Sequence, residues 1–268
     1  MLIVLTSLVF AQADLTVQEP GSWVTLETGL EFAVFDLPAS SFGDSRVRVL
    51  RVHPDHFTVA LRAGVAGDGA PKTASEWAES QQFVAAFNPS MFRPDGTSTA
   101  LMRDKSRSVR TDVTADRDML VFDPSDGSSP AFAIADNACD NFDTVLGQYS
   151  GAIQSIRMFS CDGRNVWSQQ PKMWSHAVVA VDGSGRLLLL HARSPYSTHD
   201  FVDLVINLPI DVQRMQYAEG GPEASLAVRT PAGSGTWFGS YETSFYESDS
   251  NEREWPLPNI LGIVRRVP

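Results

Sequence analysis

Residues 214–228 read RMQYAEGGPEASLAV. Apolar and polar residues alternate up to Ala218, as in a half-buried strand, and the alternation resumes as ASLAV. Between the two strands stand an acid, two glycines and a proline, a composition that turns the chain sharply. Neither Gly220 nor Gly221 has a Cβ, so the backbone can also approach a ligand closely there. The pattern predicts a strand pair with Glu219 and Ser225 at its rim. A carboxylate in that position can bind sugar hydroxyls or act as acid, base or nucleophile. The same residues also describe a hairpin turn whose Glu219 faces solvent.

The rest of the chain has the same texture of short strands between turn residues. SRVRVLRV (45–52) and HFTVALRA (56–63) alternate around Pro54-Asp55 and predict a hairpin with one buried face. HAVVAV and RLLLLHA flank Asp182-Gly183-Ser184-Gly185, a second hairpin with a glycine-bearing turn. Two segments read as helices. Thr73-Ala74-Ser75-Glu76 is a capping box, with Trp77 and Phe83 as inward anchors. Ser197-Thr198-His199-Asp200 has the same form, and Phe201, Leu204, Val205 and Leu208 recur at helical spacing until Pro209. Residues 103–143, basic and then rich in Asp and Ser, predict a long loop-rich excursion. The expected fold is α+β: a single domain of mixed, largely antiparallel sheets with a few short helices.

Composition narrows the function classes. The chain has 268 residues, 43% of them hydrophobic, and a formal net charge of -11. That charge argues against nucleic-acid binding, which needs clustered Lys and Arg. The apolar run from Leu2 to Phe10, followed by Ala11-Gln12-Ala13, reads as a secretory signal over residues 1–13 that lacks a basic start, or as an N-terminal strand. The first reading places the domain at 14–268 and the protein in the periplasm or outside the cell. No other stretch is long enough to span a bilayer. Cys139 and Cys161 in an exported chain suit a disulfide, with two buried thiols as the alternative. No CxxC, HExxH or histidine cluster is present, so no metal is expected. The Asp-rich 123–143 segment, with Asp136 and Asp140, raises calcium as a candidate, but its spacing misses the EF-hand pattern.

FVAAFNPSMFRPDGTSTALMR (83–103) is the second unusual stretch: a buried strand ends at Asn88, whose amide either satisfies a turn or binds substrate. Six pieces then fall in one order: FNPSMF, AIQSIRMF, AVVAVDGSGRLLLL, the capped helix from Asp200 to Leu208, EGGPEAS and LPNILGIVRR. This order resembles the phosphodiester glycosidase family over most of the mature chain. The resemblance implies a pocket of Asn88, Gln154, Glu219, Gly220, Gly221 and Ser225, with Asn259 closing the site or only its turn. Its departures are Glu219 for Asp, Pro89 and Ser90 for glycines, and Ser175-His176 for an Arg-Thr pair. Losing that Arg removes a bidentate phosphate ligand, so His176, Arg157 or a basic side chain of residues 103–110 would have to replace it.

His176 opens an apolar strand, where it either pairs with phosphate and donates a proton or is a satisfied edge histidine. His191, His199 and the Arg193-Ser194-Pro195-Tyr196 segment also lie near element ends. The resemblance implies an exported enzyme, without cofactor, that releases a sugar from a 1-phosphodiester. Glu219 and His176 would carry the chemistry, and Asp104, Asp143 or Glu223 would supply a second carboxylate. The alternative is a non-catalytic carbohydrate-binding protein on the same scaffold.

Overall fold

In a computed structural model describing residues 12–114 and 117–266, period-2 alternation fixes the layers. The strands Trp174–Asp182 and Leu187–Tyr196 pair antiparallel, with Val181 opposite Leu187. Ala177, Val179, Leu187 and Leu189 face a core shared by two sheets. Val178, Ala180, Leu188 and Leu190 face a second core on the opposite side. Both faces are therefore buried, which explains why these strands read as nearly continuous apolar runs.

The described residues form an 11-stranded sheet and a 6-stranded sheet, packed face to face. The helix Thr198–Ile206 covers the outer face of the larger sheet through Phe201, Val202 and Val205. The helix Ala74–Gln81 covers the smaller one through Trp77 and Ala78. Both helices begin as the sequence predicts: Thr73 and Glu76 complete a capping box, and the Ser197 side chain accepts from the Asp200 N–H. The α+β expectation holds. Among the described residues no helix is long and apolar enough to cross a membrane.

Two predicted strand pairs do not form. The strands Val212–Gly220 and Ser225–Arg229 belong to different sheets, so EGGPEA is a crossover between layers and not a hairpin turn. The same holds for Arg46–Val52 and Phe57–Ala63: the first pairs with Leu30–Asp36 and Leu187–Tyr196, the second with Asn259–Arg265. Local alternation marks a strand but does not choose its partner. Here Val52 and Phe57 both enter the inter-sheet core, which the chain achieves by turning a corner at His53 and His56. The 103–143 segment is also more regular than expected. Arg117–Pro124 and Phe132–Ala135 pair with each other and extend the large sheet, because Met119 to Phe122 is an apolar run with both faces buried.

Cys139 and Cys161 form a disulfide with a sequence separation of 22. It ties the turn before the helix Phe142–Gln148 to the end of the strand Tyr149–Phe159. Asp136 stiffens the same corner, accepting the N–H groups of Ala138 and Cys161 and pairing with Arg157 at 2.6 Å. A loop of that size contributes roughly 3 kcal/mol by limiting the unfolded chain. The Cys139→Ser, Cys161→Ser double variant is expected to melt about 5–10 °C lower in a thermal scan. Of the signal reading over residues 1–13, residues 1–11 lie outside the described residues; Ala13–Asp14 pairs in parallel with Gly233 and Ser234.

Candidate active site

The crossover opens onto a cavity of about 190 Å³ on the helix-covered side of the large sheet. The strand Val212–Gly220 supplies its floor. Met215 and Tyr217 share the outer face, and a bulge opposite Ala177 and Val178 then re-aims the chain so that Glu219 reaches the same space. Trp167 and Trp174 form walls, with Trp167 5.6 Å from the Tyr217 ring. Glu242 enters from the segment after the strand Gly233–Phe238. Ser175 positions that segment: its hydroxyl accepts the N–H groups of Ser240 and Tyr241 at 2.9 and 3.1 Å. The cavity is smaller than the roughly 300–1,000 Å³ typical for drug-sized ligands, so it suits one ring-sized group.

The glycines have distinct physical reasons. A side chain at Gly220 would collide with the Tyr217 hydroxyl. Gly221 has φ +65°, and a Cβ there would stand 2.7 Å from Glu242 Oε2. The turn thus brings backbone against the two groups that line the cavity.

Electrostatically the site is acidic. Burial pushes Glu219 up to about 8; the Gly220 N–H bound to its carboxylate opposes the shift, and Glu223 and Glu242 add to it. Burial likewise raises Glu223 to about 6, with Glu242 contributing. Glu242 is also raised by burial, and is drawn back toward ionisation by the Trp174 indole and the charge of Lys172. Tyr217 is raised well above its ordinary value by burial and then by all three carboxylates, so it stays an O–H donor. Among the described residues no Lys, Arg or His lines the cavity.

The other predicted site residues act behind this surface. Asn88, only 1% exposed, accepts the Ser225 N–H at 2.7 Å and donates to the Glu223 carbonyl at 3.1 Å. Ser225 Oγ donates to the same carbonyl. Asn88 and Ser225 therefore clamp the crossover and do not line the cavity. Gln154 is sealed and binds both the N–H and C=O of Thr114. Asn259 donates to the Gly96 carbonyl, away from the acids.

The phosphate ligands expected from sequence need correction. Arg157 is committed to Asp136 beside the disulfide. His176 is fully buried, stacks on Phe201 at 4.4 Å and contacts Thr198 Oγ1 at 3.2 Å. Burial drives it down to about 3, so it is neutral and enclosed: Nε2 contacts Thr198, which does line the cavity, while Nδ1 is buried without a partner. In the basic segment, Arg107 pairs with Asp68 and Asp104, and Arg110 with Asp112. Of the suggested second carboxylates, only Glu223 belongs to the acid cluster: Asp104 is held by Arg107, and Asp143 lies in the first turn of the helix Phe142–Gln148. Glu242, Trp167 and Trp174 escaped sequence reasoning because nothing local marks them; only the crossover geometry brings them to Glu219.

Replacing Asn88 by Ala should strand the buried Ser225 N–H and leave the Glu223 carbonyl with only the Ser225 hydroxyl. The expected loss is about 1–3 kcal/mol of stability, read from chemical denaturation, together with most ligand binding.

No protein-family model matches the chain, and no curated protein is significantly similar to it. Solved structures are similar in fold. The zebrafish N-acetylglucosamine-1-phosphodiester alpha-N-acetylglucosaminidase catalytic domain, auto-inhibited by its pro-peptide, superposes with a TM-score of 0.63 at 13% identity, covering 96% of this chain and 87% of that one. A hypothetical protein from Synechocystis superposes with a TM-score of 0.64 at 10% identity, covering 93% of this chain and 64% of that one. At these identities the likeness defines a fold shared with a phosphodiester glycosidase.

Proposed function

We propose that the protein is an exported glycosidase that releases a sugar joined through its anomeric carbon to a phosphodiester in a glycan or cell-envelope polymer. The observation that carries this reading is the convergence of Glu219 and Glu242 on one ring-sized cavity walled by Trp167, Trp174 and Tyr217. Paired carboxylates flanking a sugar are the usual equipment for glycoside cleavage, and environments that push two acids apart assign their roles. Glu219, protonated at neutral pH, donates to the leaving oxygen. Glu242, raised by burial against the opposing Trp174 hydrogen bond and Lys172 charge, is the carboxylate that stabilises oxocarbenium charge or activates water. The phosphate stands at the mouth, where the Lys172 charge reaches Glu242, and not among the acids. The disulfide supports an oxidising compartment.

The test is sugar release by the purified protein from a panel of sugar 1-phosphodiesters and aryl glycosides. Release from phosphodiesters supports the reading. Binding of the sugars without release from any member would make the protein a carbohydrate-binding module on this scaffold.

A further inference from the structure

Two carboxylates, Glu219 and Glu242, and one phenol line a cavity that no cation among the described residues lines, and the charge of Glu223 is felt there as well. The Tyr217 hydroxyl is the informative group. The residue is 7% exposed, lines the cavity, feels all three acids and has no hydrogen-bond partner among the described residues. The hydroxyl is not sealed: it opens on the cavity with its hydrogen uncommitted, so a ligand acceptor can take that hydrogen bond. The acids cannot serve as that ligand's only contacts: a neutral sugar would desolvate them further and supply no compensating charge.

We propose that the sugar bound here is a hexosamine carrying a free, protonated amine. Its ammonium faces Glu219 and Glu242, its apolar ring face lies against Trp167 or Trp174, and a ring or hydroxyl oxygen accepts from Tyr217. An ammonium over an indole also gains cation–π attraction. A positive charge beside the acids favours ionisation, and Glu242, which the Lys172 charge also draws that way, supplies the negative partner while Glu219 keeps its proton. An N-acetylated or unmodified sugar brings no such charge.

This inference rests on the glycosidase reading for its site, but its test requires no turnover. Glucosamine, N-acetylglucosamine and glucose are titrated calorimetrically into the intact protein at pH 7. Glucosamine is expected to bind at least about tenfold more tightly than either competitor. Glu242→Gln, which keeps size and removes charge, should bring the three sugars close to parity. Equal or tighter binding of N-acetylglucosamine, no binding of any of the three by folded protein, or an undiminished preference in Glu242→Gln would each overturn the proposal. A protein that selects glucosamine but cleaves no substrate would refute hydrolysis and leave the selection standing.

Discussion

Glu219→Gln is expected to abolish sugar release, lowering kcat by about 10³-fold, within the range that a positioned acid or base contributes. Binding should survive, because the amide keeps the shape and the hydrogen bond with Gly220 can be retained through its oxygen. The same variant makes a prediction about stability whose sign follows from the raised pKa. In the unfolded chain Glu219 titrates near its ordinary value of 4.5, whereas in the folded protein it is pushed up to about 8. The folded state therefore holds a proton that the unfolded state has lost, and stability falls as pH rises from about 4.5 through 8. Glu219→Gln carries no charge to desolvate, so its melting temperature should exceed that of the parent at pH 9 and match it at pH 4. A variant that melts lower than the parent at pH 9 would mean that the carboxylate is solvated and ill suited to hold a proton.

Gly239→Ala should give the largest structural effect at the site. A Cβ on Gly239 would collide with the backbone oxygen of Gly221 and stand 2.7 Å from the Ser175 Cβ. Neither neighbour is the free end of a flexible side chain, so the crossover itself must shift. Gly239 also donates its N–H to the Ala224 carbonyl at 2.8 Å, which locks the segment leading to Glu242 against the segment following Glu219. Overpacking of this kind costs about 3 kcal/mol, or about 10 °C in a thermal scan, and should misplace both carboxylates. Gly127→Ala is the natural control: its φ lies outside the left-handed region, nothing crowds its Cβ position and it sits in the distant loop after Pro124.

The two effects explain which parts of the molecule could be read from the chain. Strands, helices and caps were readable because each depends on local periodicity or on residues three apart, as at Thr73 and Glu76. The disulfide and the 182–185 hairpin were readable for a similar reason. Partner choice was not. Whether Ser225–Arg229 pairs with Val212–Gly220 or with Ala85–Phe87 depends on how the two sheets share one core, which no local window contains. The site divides along the same line. Glu219 and its glycines stand out because acid-Gly-Gly is unusual beside a strand, whereas Glu242 lies 23 residues beyond Glu219 in an unremarkable acidic stretch. His176 looked reactive because its sequence context cannot show that Phe201 and Thr198 enclose it. Asn88 stood out as a substrate or turn residue, and its amide holds the backbone of residues 223–225.

The central claim is that Glu219 and Glu242 act together on one sugar ring in this cavity. Its most direct test is the crystal structure of the Glu219→Gln protein soaked with a hexosamine 1-phosphodiester. The account predicts the sugar between Trp167 and Trp174, its anomeric oxygen within about 3 Å of the residue 219 amide, Glu242 beside the ring and the phosphate directed outward toward Lys172. Sugar bound elsewhere, such as the proline-lined groove at Phe92 and Pro258, or a phosphate seated among the carboxylates, would contradict it.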